Sequence, residues 1–106
     1  MTQTQVKVDI AKVMLDGDWH STPCLVAHVG YLIRPEIAYR SYTQKKSDKR
    51  KPNDDQKIAA GRNRLVRSLL RYWLQTHRIE RQGCQNAAEW RSIDKAWFES
   101  FLNNPH

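Results

Sequence analysis

The sequence predicts a mainly α-helical domain with a small antiparallel β-sheet, and three observations carry that expectation. Residues 61–77 form an amphipathic, arginine-rich helical pattern. That pattern runs directly into a strand-like tetrapeptide, Arg78-Ile79-Glu80-Arg81. A turn-rich stretch, Gln82-Gly83-Cys84-Gln85-Asn86, then separates it from a second strand, Glu89 to Ile93, with Gly83 and Asn86 suited to turn dihedrals.

In chain order, Val6, Ile10, Val13 and Met14 share one face of a helix from about Val6 to Leu15, which Asp16-Gly17-Asp18 stops. Trp19-His20 suits a short strand that pairs with the later hairpin. Thr22 reads as an N-cap with Pro23 at the first helical position, opening a helix through Leu25, Val26 and Val29 that Gly30 ends. A third helix is expected from Pro35 and Glu36 to about Thr43, with Ile37 and Ala38 apolar. Gln44 to Gln56 contains no hydrophobic residue, so it is expected to be a basic mobile loop.

Asp54 or Asp55 could cap the next helix, but Arg62 interrupts the apolar arc of Leu65, Val66, Leu69, Leu70 and Trp73. A break or helix start is therefore expected near Gly61 to Asn63, with Asn63 as the candidate cap; the alternative is a continuous helix from which Arg62 snorkels. Trp97, Phe98, Phe101 and Leu102 give Ile93 to Asn103 a helical spacing, with Asp94 near its start. This terminal helix, about 94–103, either caps the core or pairs two subunits as a homodimer.

A chain of 106 residues makes one domain, 1–106, with one modest core that four Trp, four Tyr and two Phe help to fill. Eighteen Lys and Arg against eleven Asp and Glu leave a formal charge of +7, favouring an anionic partner such as nucleic acid. No apolar run approaches the ~20 residues that span a bilayer. The opening Met-Thr-Gln-Thr-Gln-Val-Lys-Val-Asp lacks the apolar core of a signal peptide, so no membrane partner and a cytoplasmic location are expected. The two cysteines make no disulfide framework.

The positions Val66, Leu70 and Trp73, followed at Ile79 by a strand, resemble the recognition helix and first wing strand of winged helix-turn-helix proteins. Glu36-Ile37-Ala38 also resembles the Glu-Ile-Ala opening of many helix-turn-helix units. In that family the recognition helix usually ends in Gly or Asn, where this chain has His77. The resemblance implies a winged helix-turn-helix fold with the recognition helix in the major groove of DNA and the wing beside it.

On that reading the DNA-binding residues fall in three groups. Arg64, Arg67 and Arg71 form a stripe opposite the apolar face; Asn63, Arg64 and Arg67 are the expected base readers and Arg71 a backbone contact. Arg78, Arg81 and Gln82 belong to the wing, with Arg91 opposite; Glu80 and Glu89 are their alternative partners across the hairpin. Lys45, Lys46, Lys49, Arg50 and Lys51 make the loop an arm for the phosphate backbone.

His20, Cys24 and His28 recur every fourth residue, but no fourth ligand is near, and Cys24 reads instead as a small buried thiol. Scattered acids, no Gly-rich phosphate loop and no nucleophile in a recognisable setting speak against catalysis, and no cofactor or metal is expected. The resulting expectation is sequence-specific double-stranded DNA binding by a small transcriptional regulator. The rival is a winged-helix adaptor or inhibitor that docks a protein through the wing or the aromatic terminal helix.

Overall fold

The computed structural model describes residues 3–42, 51–83 and 87–104. Over these residues the chain is mainly helical with a three-stranded antiparallel sheet. Helix α1 (Gln3–Met14) sets Ile10, Ala11 and Met14 wholly inside the core, with Val6 nearly so. Ala11 takes the place expected of Val13, which is only partly covered. The chain turns at Gly17, whose φ of +76° suits a residue without a Cβ.

Strand β1 (His20–Ser21) leads at once into helix α2 (Thr22–Val29). The N-cap of α2 is Ser21, whose hydroxyl accepts from the Cys24 amide, and not Thr22 as the sequence suggested. Thr22 is buried because its side chain has a different task. Its hydroxyl oxygen accepts from Trp90 Nε1 at 2.9 Å, and its O–H donates to the Ala88 carbonyl at 3.4 Å. Cys24 is exposed, so it is not the buried thiol expected. Gly30 ends the helix as expected, as its C-cap in a right-handed conformation, φ −58°, and opens a 3-10 turn, Gly30–Leu32.

Helix α3 (Pro35–Ser41) buries only Ala38, leaving Ile37 and Tyr39 exposed. Next come helix α4 (Asp54–Gln75), strands β2 (Ile79–Gln82) and β3 (Glu89–Ser92) and helix α5 (Lys95–Asn103). In the sheet β3 is central, in the order β1-β3-β2. His20 faces Trp90 across one ladder, and Ile79 faces Ser92 and Glu80 faces Arg91 across the other. The short strand expected at Trp19-His20 thus forms one residue later and does pair with the hairpin.

Alternation along the strands gives the sheet a buried and an outer face. Ile79, Trp90 and Ser92 turn inward, and Ser92 Oγ donates to the Met14 carbonyl at 2.7 Å, tying the sheet to the end of α1. Trp73 stands at the core's centre, edge-on to Phe98 with centroids 5.0 Å apart, and close to Phe101 and Trp97. Phe98 and Phe101 are therefore consumed inside the domain, where α5 packs on α1.

Candidate nucleic-acid interface

The basic stripe lies on α4, a longer helix than the sequence pattern indicates. Asn53 caps that helix: the Asn53 side chain accepts from the Gln56 amide at 2.8 Å and the Gln56 side chain accepts from the Asn53 amide at 3.0 Å. This reciprocal box satisfies two amides that a helix start would leave unpaired. From there the helix runs unbroken for 22 residues. The expected break at Gly61 to Asn63 is absent, Asn63 is a half-buried mid-helix residue, and residues 54–56, expected in the loop, are helical.

Two contacts explain why the helix passes through the doubtful region. Gly61 is buried against α3, where a Cβ would overlap the Ala38 carbonyl. Arg62 lies beside the 3-10 turn and donates from Nε and Nη2 to the Ile33 carbonyl, at 3.3 and 3.1 Å. The arginine that interrupts the apolar arc thus satisfies a main-chain acceptor rather than starting a new helix.

The other end of α4 closes through His77, which adopts φ +62°. The His77 amide donates to the Leu74 carbonyl at 3.1 Å and the Arg78 amide to the Trp73 carbonyl at 2.9 Å. These are the two hydrogen bonds of a Schellman turn, with histidine where glycine is usual. The turn delivers the chain into β2 within three residues of the end of α4.

Along α4, Val66, Leu70 and Trp73 are buried, while Leu65 and Leu69 are only partly covered. Arg64 and Arg71 are exposed and Arg67 is half-buried. Neither Arg67 nor Arg71 forms an ion pair with an acidic side chain among the described residues. The stripe expected on the polar face is present as a set, and the charges of Arg67 and Arg71 are available to an anion.

The hairpin arginines divide differently. Arg78 Nη1 donates to Asp94 Oδ2 at 2.8 Å and its guanidinium lies 4.7 Å from the Trp97 ring centroid. The other oxygen of Asp94 accepts from the Trp97 amide and caps α5, so Arg78 is part of the joint between hairpin and terminal helix. Arg91 pairs with Glu80 directly across the ladder and stacks over Trp19 at 4.5 Å. Gln82 donates to Glu89 at 3.1 Å. Arg81 remains exposed, 5.6 Å from the Trp90 ring centroid, one ladder pair from the hairpin's turn.

Of the loop cations, Lys51 is exposed; Lys45, Lys46, Lys49 and Arg50 lie outside the described residues. Two cations that the sequence did not single out stand where α3 meets α4. Lys57 Nζ lies 5.4 Å over the Tyr39 ring, and Arg40 shares a shallow hollow with Tyr39. Tyr39 and Arg40 face outward because Ala38 is the buried position of α3, a fact that only packing against α4 decides.

Away from this surface, His20 Nε2 contacts both carboxylate oxygens of Asp16 at 2.9 Å. Burial works against ionisation of Asp16, but the His20 hydrogen bond, the Asp18 amide and the charges of His20 and Lys95 outweigh it, holding the carboxyl below its ordinary 3.8. Among the described residues no three His, Cys, Asp or Glu side chains converge as a metal site, and no helix is long and apolar enough to cross a membrane. Comparisons with protein families, with curated proteins and with solved structures find no match.

Proposed function

We propose that this chain is a winged helix-turn-helix domain that binds double-stranded DNA sequence-specifically, as a small transcriptional regulator. The observation that carries the reading is the join at His77. It couples a helix with Arg64, Arg67 and Arg71 on its polar face to an antiparallel hairpin that β1 extends into a three-stranded sheet. A helix of this kind fits the major groove, and a hairpin fixed to its C-terminal end reaches the flanking backbone or minor groove.

Arg64 and Arg67 read base edges, since arginine can donate two hydrogen bonds to guanine, while Arg71 sets register on phosphates. Asn63 contributes less than its place in the sequence suggested, being mid-helix and half-buried. Arg81, with Gln82 beside it, represents the wing; Lys51 and the lysines and arginine at 45, 46, 49 and 50 supply non-specific backbone affinity. Burial of Phe98 and Phe101 favours this reading over a protein-docking aromatic helix.

The test is fluorescence anisotropy with mixed-sequence duplex DNA over a salt series, competed by single strands and RNA. With about six phosphate contacts, log affinity falls against log salt with a slope near −5. A slope near zero, or equal competition by single strands, overturns the proposal.

A further inference from the structure

The core-facing stripe of α1 is Val6, Ile10, Ala11 and Met14, and Lys7 lies at its edge. Ile10, Ala11 and Met14 are completely buried, whereas Lys7, beside Val6 and one turn earlier than Ala11, is half-buried. There it lines a hollow of about 420 Å³ between α1, α3 and α4. Val6, Ile33, Leu65 and Leu69 form the apolar wall, and Ile37 and Tyr72 stand at the rim, 39% and 59% exposed. Among the described residues of that lining, Lys7 is the one charged side chain, and Ser68 and Tyr72 carry the hydroxyls. Lys7 has no acidic partner among the described residues.

A lysine on the lining of an otherwise apolar concavity favours an anionic group that brings its own apolar body. The volume lies within the range of about 300–1,000 Å³ common for small-molecule sites, which are apolar with a few polar anchors. We infer that this hollow binds an amphipathic monocarboxylate of the medium-chain fatty acid class. The carboxylate pairs with Lys7 and accepts from Ser68, and the hydrocarbon covers Leu65, Leu69 and Tyr72. Each buried methylene adds about 0.8 kcal/mol, so the apolar wall supplies most of the affinity and Lys7 selects the head group. The inference goes beyond the DNA-binding reading and does not depend on it.

The experiment titrates the full chain with octanoate, octan-1-ol and octylamine, following backbone amide shifts by NMR. Octanoate is expected to saturate one site, shifting residues of α1 and α4 around the hollow, at least tenfold more tightly than octylamine. Lys7→Met keeps a long, flexible side chain at the half-buried edge of the core stripe and so retains the fold. It is expected to lose tenfold or more for octanoate and to leave octan-1-ol unchanged. Ser68→Phe fills the hollow and is expected to abolish binding of both, with thermal unfolding showing the variant folded. Binding that does not saturate, equal affinity for octylamine, or an unchanged octanoate affinity in Lys7→Met overturns the inference. So does a chain dimer in sedimentation that buries Tyr72 and Ile37 and that octanoate does not dissociate, because a second copy then fills the hollow.

Discussion

Gly61 of α4 rests directly against the Ala38 carbonyl of α3, with no room between them for a side chain. Both residues are buried, and the two helices pack closely along this contact. A glycine inside a long helix costs about 1 kcal/mol relative to alanine, so on helix propensity alone Gly61→Ala would stabilise. The contact reverses the sign. A methyl group must push α3 away, and overpacking of this kind costs about 1–3 kcal/mol. Urea unfolding is expected to show Gly61→Ala less stable than the parent; a more stable variant would mean that the helices do not meet here.

His77 supplies the opposite case, a side chain where glycine is preferred. Its left-handed conformation costs an L-residue roughly 1–2 kcal/mol, partly offset in a glycine variant by the greater entropy of its unfolded chain. His77→Gly is therefore expected to raise stability by about 0.5–1 kcal/mol while His77→Val lowers it. Thermal unfolding reads both. An unchanged midpoint in each would mean that α4 does not end in a Schellman turn.

The arginines of α4 and of the hairpin should separate stability from binding. Arg67→Ala combined with Arg71→Ala is expected to change stability by no more than about 1 kcal/mol, since neither side chain is buried and neither pairs with an acidic side chain among the described residues. Loss of two phosphate or base contacts should reduce the salt slope of DNA binding by roughly 2. Arg78→Ala is expected to do the reverse, costing about 1 kcal/mol of stability through the lost Asp94 pair and Trp97 stack with little change in the salt slope. Parallel unfolding and anisotropy measurements on the two variants check the division.

Asp16 gives a pH signature. Its folded-state carboxyl is held below the ordinary value of 3.8, so the stability it contributes is present above that value and is lost as pH falls through the lowered one. The carboxylate is largely exposed, which keeps the effect small. Asp16→Asn is expected to be less stable than the parent from neutral pH down to about pH 4, with the two converging in stronger acid. A difference that persists undiminished at low pH would assign the loss to something other than the ionised pair.

Local pattern determined much of this protein. The helical spacing of Val66, Leu70 and Trp73, the strand at Ile79, the hairpin partner centred on Trp90 and the terminal helix behind Asp94 were legible because each buried position repeats with its element's own period. The arginine stripe at 64, 67 and 71 was legible for the same reason. Contacts between residues far apart in the chain decided the rest. Nothing near Gly61 announces that Ala38 will press on it, so a glycine followed by an arginine on the apolar arc read as a break. The Ile33 carbonyl, 29 residues away, gives Arg62 its partner. Thr22 looked like a cap because caps are local, and was taken from that role by Trp90, 68 residues further on. Asp94 and Glu80 likewise bind Arg78 and Arg91, leaving Arg81 as the exposed arginine of the hairpin. A periodic sequence specifies which face turns inward, but only tertiary packing fixes which polar group meets which, because a hydrogen bond or ion pair requires partners within a few ångströms whatever their distance along the chain.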